Sequence, residues 1–128
     1  MPDSTVLDSS AILALLLGEP GGRLVVPHLD EAAVSAVHLS EVHSRLIHLG
    51  EPPAAAWERL MALRCEIWPF TEEQARVAAE LISITRPYGL SLGDRACIAL
   101  AMERKAKILT ADRVWKQLSL GVEVEVVR

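Results

Sequence analysis

Short apolar runs alternate along the chain with longer stretches in which apolar residues recur every three or four positions. The short runs at residues 6–7, 32–34, 65–70 and 107–110 predict buried strands. Residues 122–127 alternate Val with Glu, which is typical of an edge strand. The sequence therefore predicts five strands.

Helices are predicted between these strands from the same periodicity and from residues that begin or end helices. The first three predicted helices cover residues 11–17, 36–49 and 54–63. A fourth begins at the capping sequence TEEQ, at residues 71–74, and ends at Pro87 and Gly89. A fifth is capped by Ser91 and runs to about Lys105. Ser9 or Ser10 is the expected cap of the first helix. Residues 23–29 are apolar enough for a strand or a helix, and a short helix is favoured.

Strands that alternate with helices predict an α/β fold. The expected architecture has three layers in the order αβα: a central, mostly parallel sheet with helices on both faces. A chain of 128 residues, 51% of them hydrophobic, is long enough to bury a core as a single domain over residues 1–128.

The charge and cysteine content exclude several classes of protein. A formal net charge of −4 argues against indiscriminate binding to polyanions, so any nucleic-acid contact must be local. The two cysteines, Cys65 and Cys97, indicate neither a disulfide framework nor a zinc site. The longest apolar run, residues 11–17, is too short to cross a bilayer, so we expect a cytoplasmic protein that does not contact a membrane.

Four acidic residues are expected at one edge of the predicted sheet. Asp8 and Asp112 follow strands, Glu41 lies about one turn into the helix after the second strand, and Asp94 lies in the first turn of the helix capped by Ser91. Loops and helix amino termini converge at this edge in parallel sheets. Each acid, taken alone, has a structural interpretation as a helix cap, a turn residue or part of a solvated face.

Convergence of several acids favours a divalent cation. Two carboxylates about 4 Å apart repel by roughly 4 kcal/mol at an effective dielectric constant near 20, so clustered acids either hold protons or bind cations. Oxygen ligands favour Mg²⁺ or Mn²⁺ over zinc. His38, three residues before Glu41, is an alternative ligand on the same helix. The chain has no Walker loop, dinucleotide-binding glycine motif or metalloprotease His-Glu motif.

Four segments of the sequence resemble the acidic motifs of PIN domains, in the family's order. They are VLDSSAIL around Asp8, SAVHLSEV around Glu41, SLGDRACIALA around Asp94 and ILTADRVW around Asp112. The resemblance covers almost the whole chain, and the length is similar to that of a stand-alone VapC toxin of a type II toxin–antitoxin system.

This resemblance implies a metal-dependent endoribonuclease that hydrolyses phosphodiesters of structured RNA such as tRNA. The four acids would be catalytic and would hold one or two Mg²⁺ or Mn²⁺ ions, while Ser9 and Thr110 would hydrogen-bond to the acids or to bound water. It also implies a small antitoxin protein as partner and a homodimer. A metal ion can activate water and neutralise the phosphate, so no organic cofactor is expected.

Positive side chains beside the motifs are candidate RNA contacts. The preferred candidates are Arg113 and Lys116, followed by Arg95 and Arg45. Trp115 is expected to pack in the core, with base stacking as the alternative. Two other functions stay open at this point: a non-catalytic PIN-like module that binds RNA or protein, and a metal phosphohydrolase that acts on small phosphate esters.

Overall fold

A five-stranded parallel sheet forms the centre of the computed structural model, which describes residues 4–128. All four neighbouring strand pairs are parallel, in the order β3-β2-β1-β4-β5. The strands are β1 (Thr5–Leu7), β2 (Ala32–Ser35), β3 (Glu66–Trp68), β4 (Lys107–Thr110) and β5 (Val124–Val126). The α/β prediction is confirmed, and the sheet is entirely parallel.

Six α-helices and four 3₁₀ segments connect the described strands. The α-helices are α1 (Ser9–Leu17), α2 (Ala36–His48), α3 (Pro53–Ala62), α4 (Glu72–Glu80), α5 (Ile82–Thr85) and α6 (Leu92–Arg104). The 3₁₀ segments are Gly22–Leu24, Val26–Glu31, Arg86–Tyr88 and Arg113–Gln117. The ambiguous region after residue 22 is therefore helical, as favoured.

Successive strand residues point to opposite faces of the sheet and enter two separate hydrophobic clusters. Leu7 and Leu109 pack on one side with residues of α1, α2 and α3. Val6 and Ile108 pack on the other side with residues of α6. Because both faces of β1 and β4 are covered, each strand has two consecutive apolar residues, Val6 and Leu7 in β1 and Ile108 and Leu109 in β4. The two clusters establish the three-layer arrangement.

The region between Thr71 and Gly89 differs from the single helix that was predicted. α4 ends at Glu80, and the chain continues as the short helix α5 and a 3₁₀ turn. Three of the four α5 residues, Ile82, Ile84 and Thr85, are β-branched and favour a helix less. The Thr71 hydroxyl accepts a hydrogen bond from the Gln74 amide as predicted, but the Gln74 side chain faces Glu103 and does not complete a capping box.

The sheet order places a crevice at the carboxyl end of β1. The connections from this central strand lead to β2 on one side and, later in the chain, to β4 on the other, so the strand order reverses there. Such a reversal opens a ligand-binding crevice beyond the strand ends. No single α-helix within residues 4–128 is long and apolar enough to cross a bilayer. Within these residues, one bent pair of helical segments, Ser9–Leu17 and Gly22–Glu31, has the necessary length and apolar composition when the two are taken together.

Candidate active site

Asp8 is buried at the carboxyl end of β1, with only 2% of its surface exposed. It is the N-cap of α1, because its Oδ1 accepts a hydrogen bond of 2.8 Å from the Ala11 amide. The expected caps Ser9 and Ser10 instead lie within the first turn. Burial raises the pKa of Asp8, although hydrogen bonds from Thr110, Ala11 and Ser10 and the charge of His38 oppose that rise.

Two hydroxyl groups connect Asp8 to the segment after β4. The Thr110 hydroxyl donates to Asp8 Oδ2 at 2.6 Å and accepts a hydrogen bond from the Asp112 amide at 3.0 Å. Ser10 Oγ lies 2.8 and 2.9 Å from the two Asp8 oxygens and accepts from the Ala111 amide at 2.9 Å. The predicted contact of Thr110 is therefore present, whereas Ser10 makes the contact that was assigned to Ser9.

Asp112 is exposed, unlike Asp8, and lies at the start of the last 3₁₀ segment. Its Oδ1 accepts a hydrogen bond of 3.1 Å from the Val114 amide, so it caps that segment. The Thr110 hydroxyl links the Asp112 main chain, but not its carboxylate, to Asp8. The carboxylate of Asp112 stays free to face solvent or a ligand on its other oxygen.

Glu41 and Asp94 come from different helices and contact the same histidine. His38 Nε2 lies 3.3 Å from Glu41 Oε1 and 3.4 Å from Asp94 Oδ1. Asp94 also completes a capping box with Ser91, in which the Ser91 amide donates to Asp94 Oδ2 at 3.1 Å. Burial alone would raise the pKa of Asp94, but the interactions with His38 and Ser91 outweigh it and lower that pKa.

Three of the acids are near enough to Cys97 to affect its pKa. This thiol is fully buried on α6, and burial together with the charges of Asp8, Asp94 and Glu41 holds its pKa well above the usual value. In residues 4–128, no Lys or Arg forms an ion pair with these three acids or with Asp112. The site is therefore a concentration of negative charge without a protein counter-cation other than histidine.

The donor chemistry of this site fits a hard divalent cation. Every acid offers carboxylate oxygens, and Mg²⁺ prefers a few carboxylates supplemented by water and substrate phosphate. Burial raises the pKa of Asp8, and a cation bound beside it would favour the charged carboxylate. In the described side chains, no three His, Cys, Asp or Glu residues are already grouped closely enough to hold an ion. Ligation by Asp8, Glu41 and Asp94 thus requires side-chain rotation or bridging water.

The four predicted RNA contacts occupy different environments. Arg45 and Lys116 are exposed. Arg113 is exposed but its Nε donates to the main-chain oxygen of Arg128 at 3.2 Å. Arg95 is half-buried, and its Nη1 donates to the main-chain oxygen of Ala78 at 2.8 Å, which connects α6 to α4. Arg95 therefore has a structural partner, which sequence alone did not reveal.

Trp115 packs in the core, with 1% of its surface exposed. The preferred interpretation of this residue is thus confirmed, and base stacking by it is excluded in this conformation. Its burial holds the last 3₁₀ segment against the sheet, which positions Asp112 and the neighbouring cations at the edge of the crevice.

A PIN domain family model matches residues 5–120. This match covers nearly the whole sequence and includes all four acids. The chain belongs to the PIN domain family. No curated protein matches the sequence significantly.

Solved structures with the same fold include members of bacterial toxin–antitoxin systems. A member of the VapBC family of toxin–antitoxin systems from Mycobacterium tuberculosis, VapBC-5, is 25% identical, covers 99% of each chain and superposes with a TM-score of 0.66. FitAcB from Neisseria gonorrhoeae is 23% identical, with 94% of this chain and 95% of that chain covered and a TM-score of 0.71. The sarcin-ricin loop cleaving toxin VapC20 from Mycobacterium tuberculosis is 17% identical, with coverage of 89% and 94% and a TM-score of 0.75.

Proposed function

We propose that this chain is a divalent-metal-dependent endoribonuclease and the toxin of a toxin–antitoxin pair. The observation that carries the proposal is the group of Asp8, Glu41 and Asp94, which come from three parts of the chain, lie around buried His38 and have no Lys or Arg partner within the described residues. Membership of the PIN family and likeness to toxin structures support the same function.

Asp8, Glu41 and Asp94 would hold Mg²⁺ or Mn²⁺, and Asp112 would add a ligand from the edge of the crevice. A bound divalent ion would supply activation of water and neutralisation of charge on the phosphate. Thr110 and Ser10 hold the Asp8 carboxylate in one orientation through their hydroxyl groups. The partial exposure of Glu41 and Asp94, whose side chains are 43% and 25% exposed, leaves them accessible to a phosphate from solvent.

The RNA backbone would be held by exposed cations beside the acids. Lys116 and Arg113 lie on the 3₁₀ segment capped by Asp112, and Arg45 lies on α2 one turn after Glu41. Their small number agrees with a net charge of −4 and with local contact to a structured RNA. Arg95 contributes less to RNA binding, because its guanidinium contacts Ala78.

A small antitoxin protein and a second copy of this chain are the proposed partners. Solved structures with this fold include a VapBC complex from Salmonella typhimurium and FitAB, each bound to DNA. An antitoxin would act by covering the acidic crevice, and a basic side chain would be the complementary group there.

RNA cleavage by purified chain with Mn²⁺ tests the proposal. We expect wild type to cut a structured RNA such as tRNA, and Asp94→Asn to lose more than the roughly 100-fold typical of residues that only support a metal ligand. Asp30→Asn, an exposed aspartate at the other end of the sheet, is the matched control and should cut like wild type. Absence of cleavage by wild type, or equal cleavage by Asp94→Asn, rejects an enzymatic role.

A further inference from the structure

Two residues behind the acidic crevice, His38 and Gly93, determine where the Glu41 carboxylate lies. We propose that they are positioning residues, which hold Glu41 beside Asp94 so that the two carboxylates face one divalent cation together. This inference rests on the metal-dependent function proposed above. It concerns the arrangement of the ligands and not their identity.

His38 lies between the two carboxylates on the side of the protein interior. The residue is 0% exposed, and its Nε2 is within 3.4 Å of one oxygen of each acid. Neither ring nitrogen has a hydrogen-bond partner with good geometry in the described residues. The buried imidazole therefore has the two carboxylates as its charged neighbours, which indicates a role in the arrangement of these acids.

Gly93 supports Glu41 from the first turn of α6. A Cβ at position 93 would lie 2.7 Å from Glu41 Cδ and closer still to Oε1, so only glycine allows the carboxylate to lie against this turn. Gly93 is buried and directly precedes Asp94. The position of the Glu41 carboxylate against α6 therefore depends on the absence of a side chain at position 93.

The position of His38 suits support of the ligands. Glu41 and Asp94 are partly exposed, whereas His38 has no exposed surface and contacts them from the side of the protein interior. An Nε2–H between the two carboxylates would reduce their repulsion and favour orientations in which their remaining oxygens face solvent. Hydrogen-bonding residues of this kind, behind the ligands, commonly change metal affinity by about 10- to 100-fold.

Three variants and one control test the inference by Mn²⁺ calorimetry without RNA. His38→Leu removes the nitrogen and should weaken Mn²⁺ binding by about 10- to 100-fold. His38→Gln retains a side-chain N–H and should recover most of that loss. His43→Gln, on the same helix but bonded to the Pro53 carbonyl, should bind Mn²⁺ like wild type.

Gly93→Ala separates positioning from folding. Alanine favours a helix more than glycine does, so the thermal stability of the metal-free variant should be unchanged or higher. The flexible end of Glu41 must move away from the new methyl group, and Mn²⁺ affinity should fall. In cleavage assays the Mn²⁺ concentration at half-saturation should rise, while KM for RNA at saturating Mn²⁺ stays that of wild type.

The outcomes separate this inference from the proposed function. If wild type neither binds Mn²⁺ nor cuts RNA, the proposed function fails. If wild type does both and His38→Leu and Gly93→Ala match it in Mn²⁺ affinity, the positioning role alone is wrong. Directly coordinated nitrogen in the electron spin echo spectrum of Mn²⁺-loaded wild type, absent in His38→Gln, would show that His38 is a ligand and would also overturn the inference.

Discussion

The two ends of the parallel sheet carry similar numbers of acids in opposite electrostatic settings. Near the amino end, Lys107 Nζ pairs with Glu125 Oε1 at 2.9 Å and Arg104 pairs with Glu66 at 3.3 Å. A cavity of about 570 Å³ also lies at this end and is lined by both lysines and glutamates. At the carboxyl end the acids contact histidine, hydroxyl groups and main-chain amides, and within the described residues none of them forms an ion pair with Lys or Arg.

The pKa values of the ion pair at the amino end and of Asp8 differ in direction, whereas His38 and Ser91 lower the pKa of Asp94 at the carboxyl end. The pKa of Glu125 is lowered and that of Lys107 is raised, each chiefly by the hydrogen bond to the other. The pKa of Asp8 is raised, chiefly by burial. Paired acids stabilise the fold, whereas a buried acid without a cation destabilises it and is retained for another purpose. Cavity volume alone would have placed the candidate site at the amino end of the sheet, away from the four acids.

Asp8→Asn should give the largest effect on both activity and stability. RNA cleavage should be lost, because a carboxylate ligand is removed, while the metal-free chain should be at least as stable as wild type. A raised acid pKa contributes stability that is present below the unfolded value of 3.8 and is lost as pH rises through the folded pKa. The stability advantage of Asp8→Asn should therefore grow from mildly acidic to neutral pH.

Denaturant titrations of metal-free wild type and Asp8→Asn over that pH range measure this advantage. A variant that is less stable by the same amount at every pH would mean that Asp8 acts only as the cap of α1. Addition of Mn²⁺ should reverse the order, because only wild type binds it and gains stability by mass action.

Thr110→Val should have the next largest effect. It removes the hydroxyl that donates to Asp8 and accepts from the Asp112 amide, which should cost about 1–3 kcal/mol of unfolding free energy. Cleavage should fall by about 10- to 100-fold, because the hydroxyl supports a proposed ligand. Thr85→Val is the matched control: Thr85 is also fully buried and bonds to the Leu81 carbonyl at 3.0 Å, so only stability should change. Equal activity of the two variants would contradict the role of Thr110.

Much of this site was predictable because each aspartate also has a local structural role. Asp8, Asp94 and Asp112 all cap helical segments, and capping residues are recognisable from neighbouring residues alone. The structural and functional interpretations of these acids are therefore not alternatives. The capping hydrogen bonds use some of their oxygens and leave others for the crevice.

The contacts that sequence did not predict depend on packing between distant elements. Ser9 and Ser10 are adjacent hydroxyl residues, and only the direction of α1 relative to β4 decides that Ser10 faces Asp8 and Thr110. The roles of His38 and Gly93 arise where α2 meets α6, across more than fifty residues of sequence. A glycine directly before a motif acid was the available signal for such a close approach.

Variants of Arg95 and Lys116 compare a cation that bonds to the protein main chain with a cation that is exposed to solvent, and smaller effects are expected from both. Arg95→Leu should lower the unfolding free energy by about 1.5–3 kcal/mol by removing the bond to the Ala78 carbonyl, without raising KM for RNA. Lys116→Ala should leave stability within about 0.5 kcal/mol of wild type. It should raise KM and reduce the salt dependence of RNA binding by about one counterion. A KM that rises equally in both variants would assign Arg95 to the RNA surface after all.

Lys107→Met, at the amino end, should have the smallest effect. The side chains of Lys107 and Glu125 are 26% and 41% exposed, so their ion pair should contribute at most about 1 kcal/mol, and less at high salt. Because the pKa of Glu125 is lowered, its contribution to the free energy of unfolding is present above its unfolded pKa and is lost as pH falls through the folded value. Because the pKa of Lys107 is raised, its contribution is lost as pH rises through its folded value. Denaturant titrations should therefore show a difference from wild type that is greatest around neutral pH, with RNA cleavage unchanged. A loss of cleavage in Lys107→Met would show that the two ends of the sheet are coupled and that their electrostatic difference does not separate structure from function.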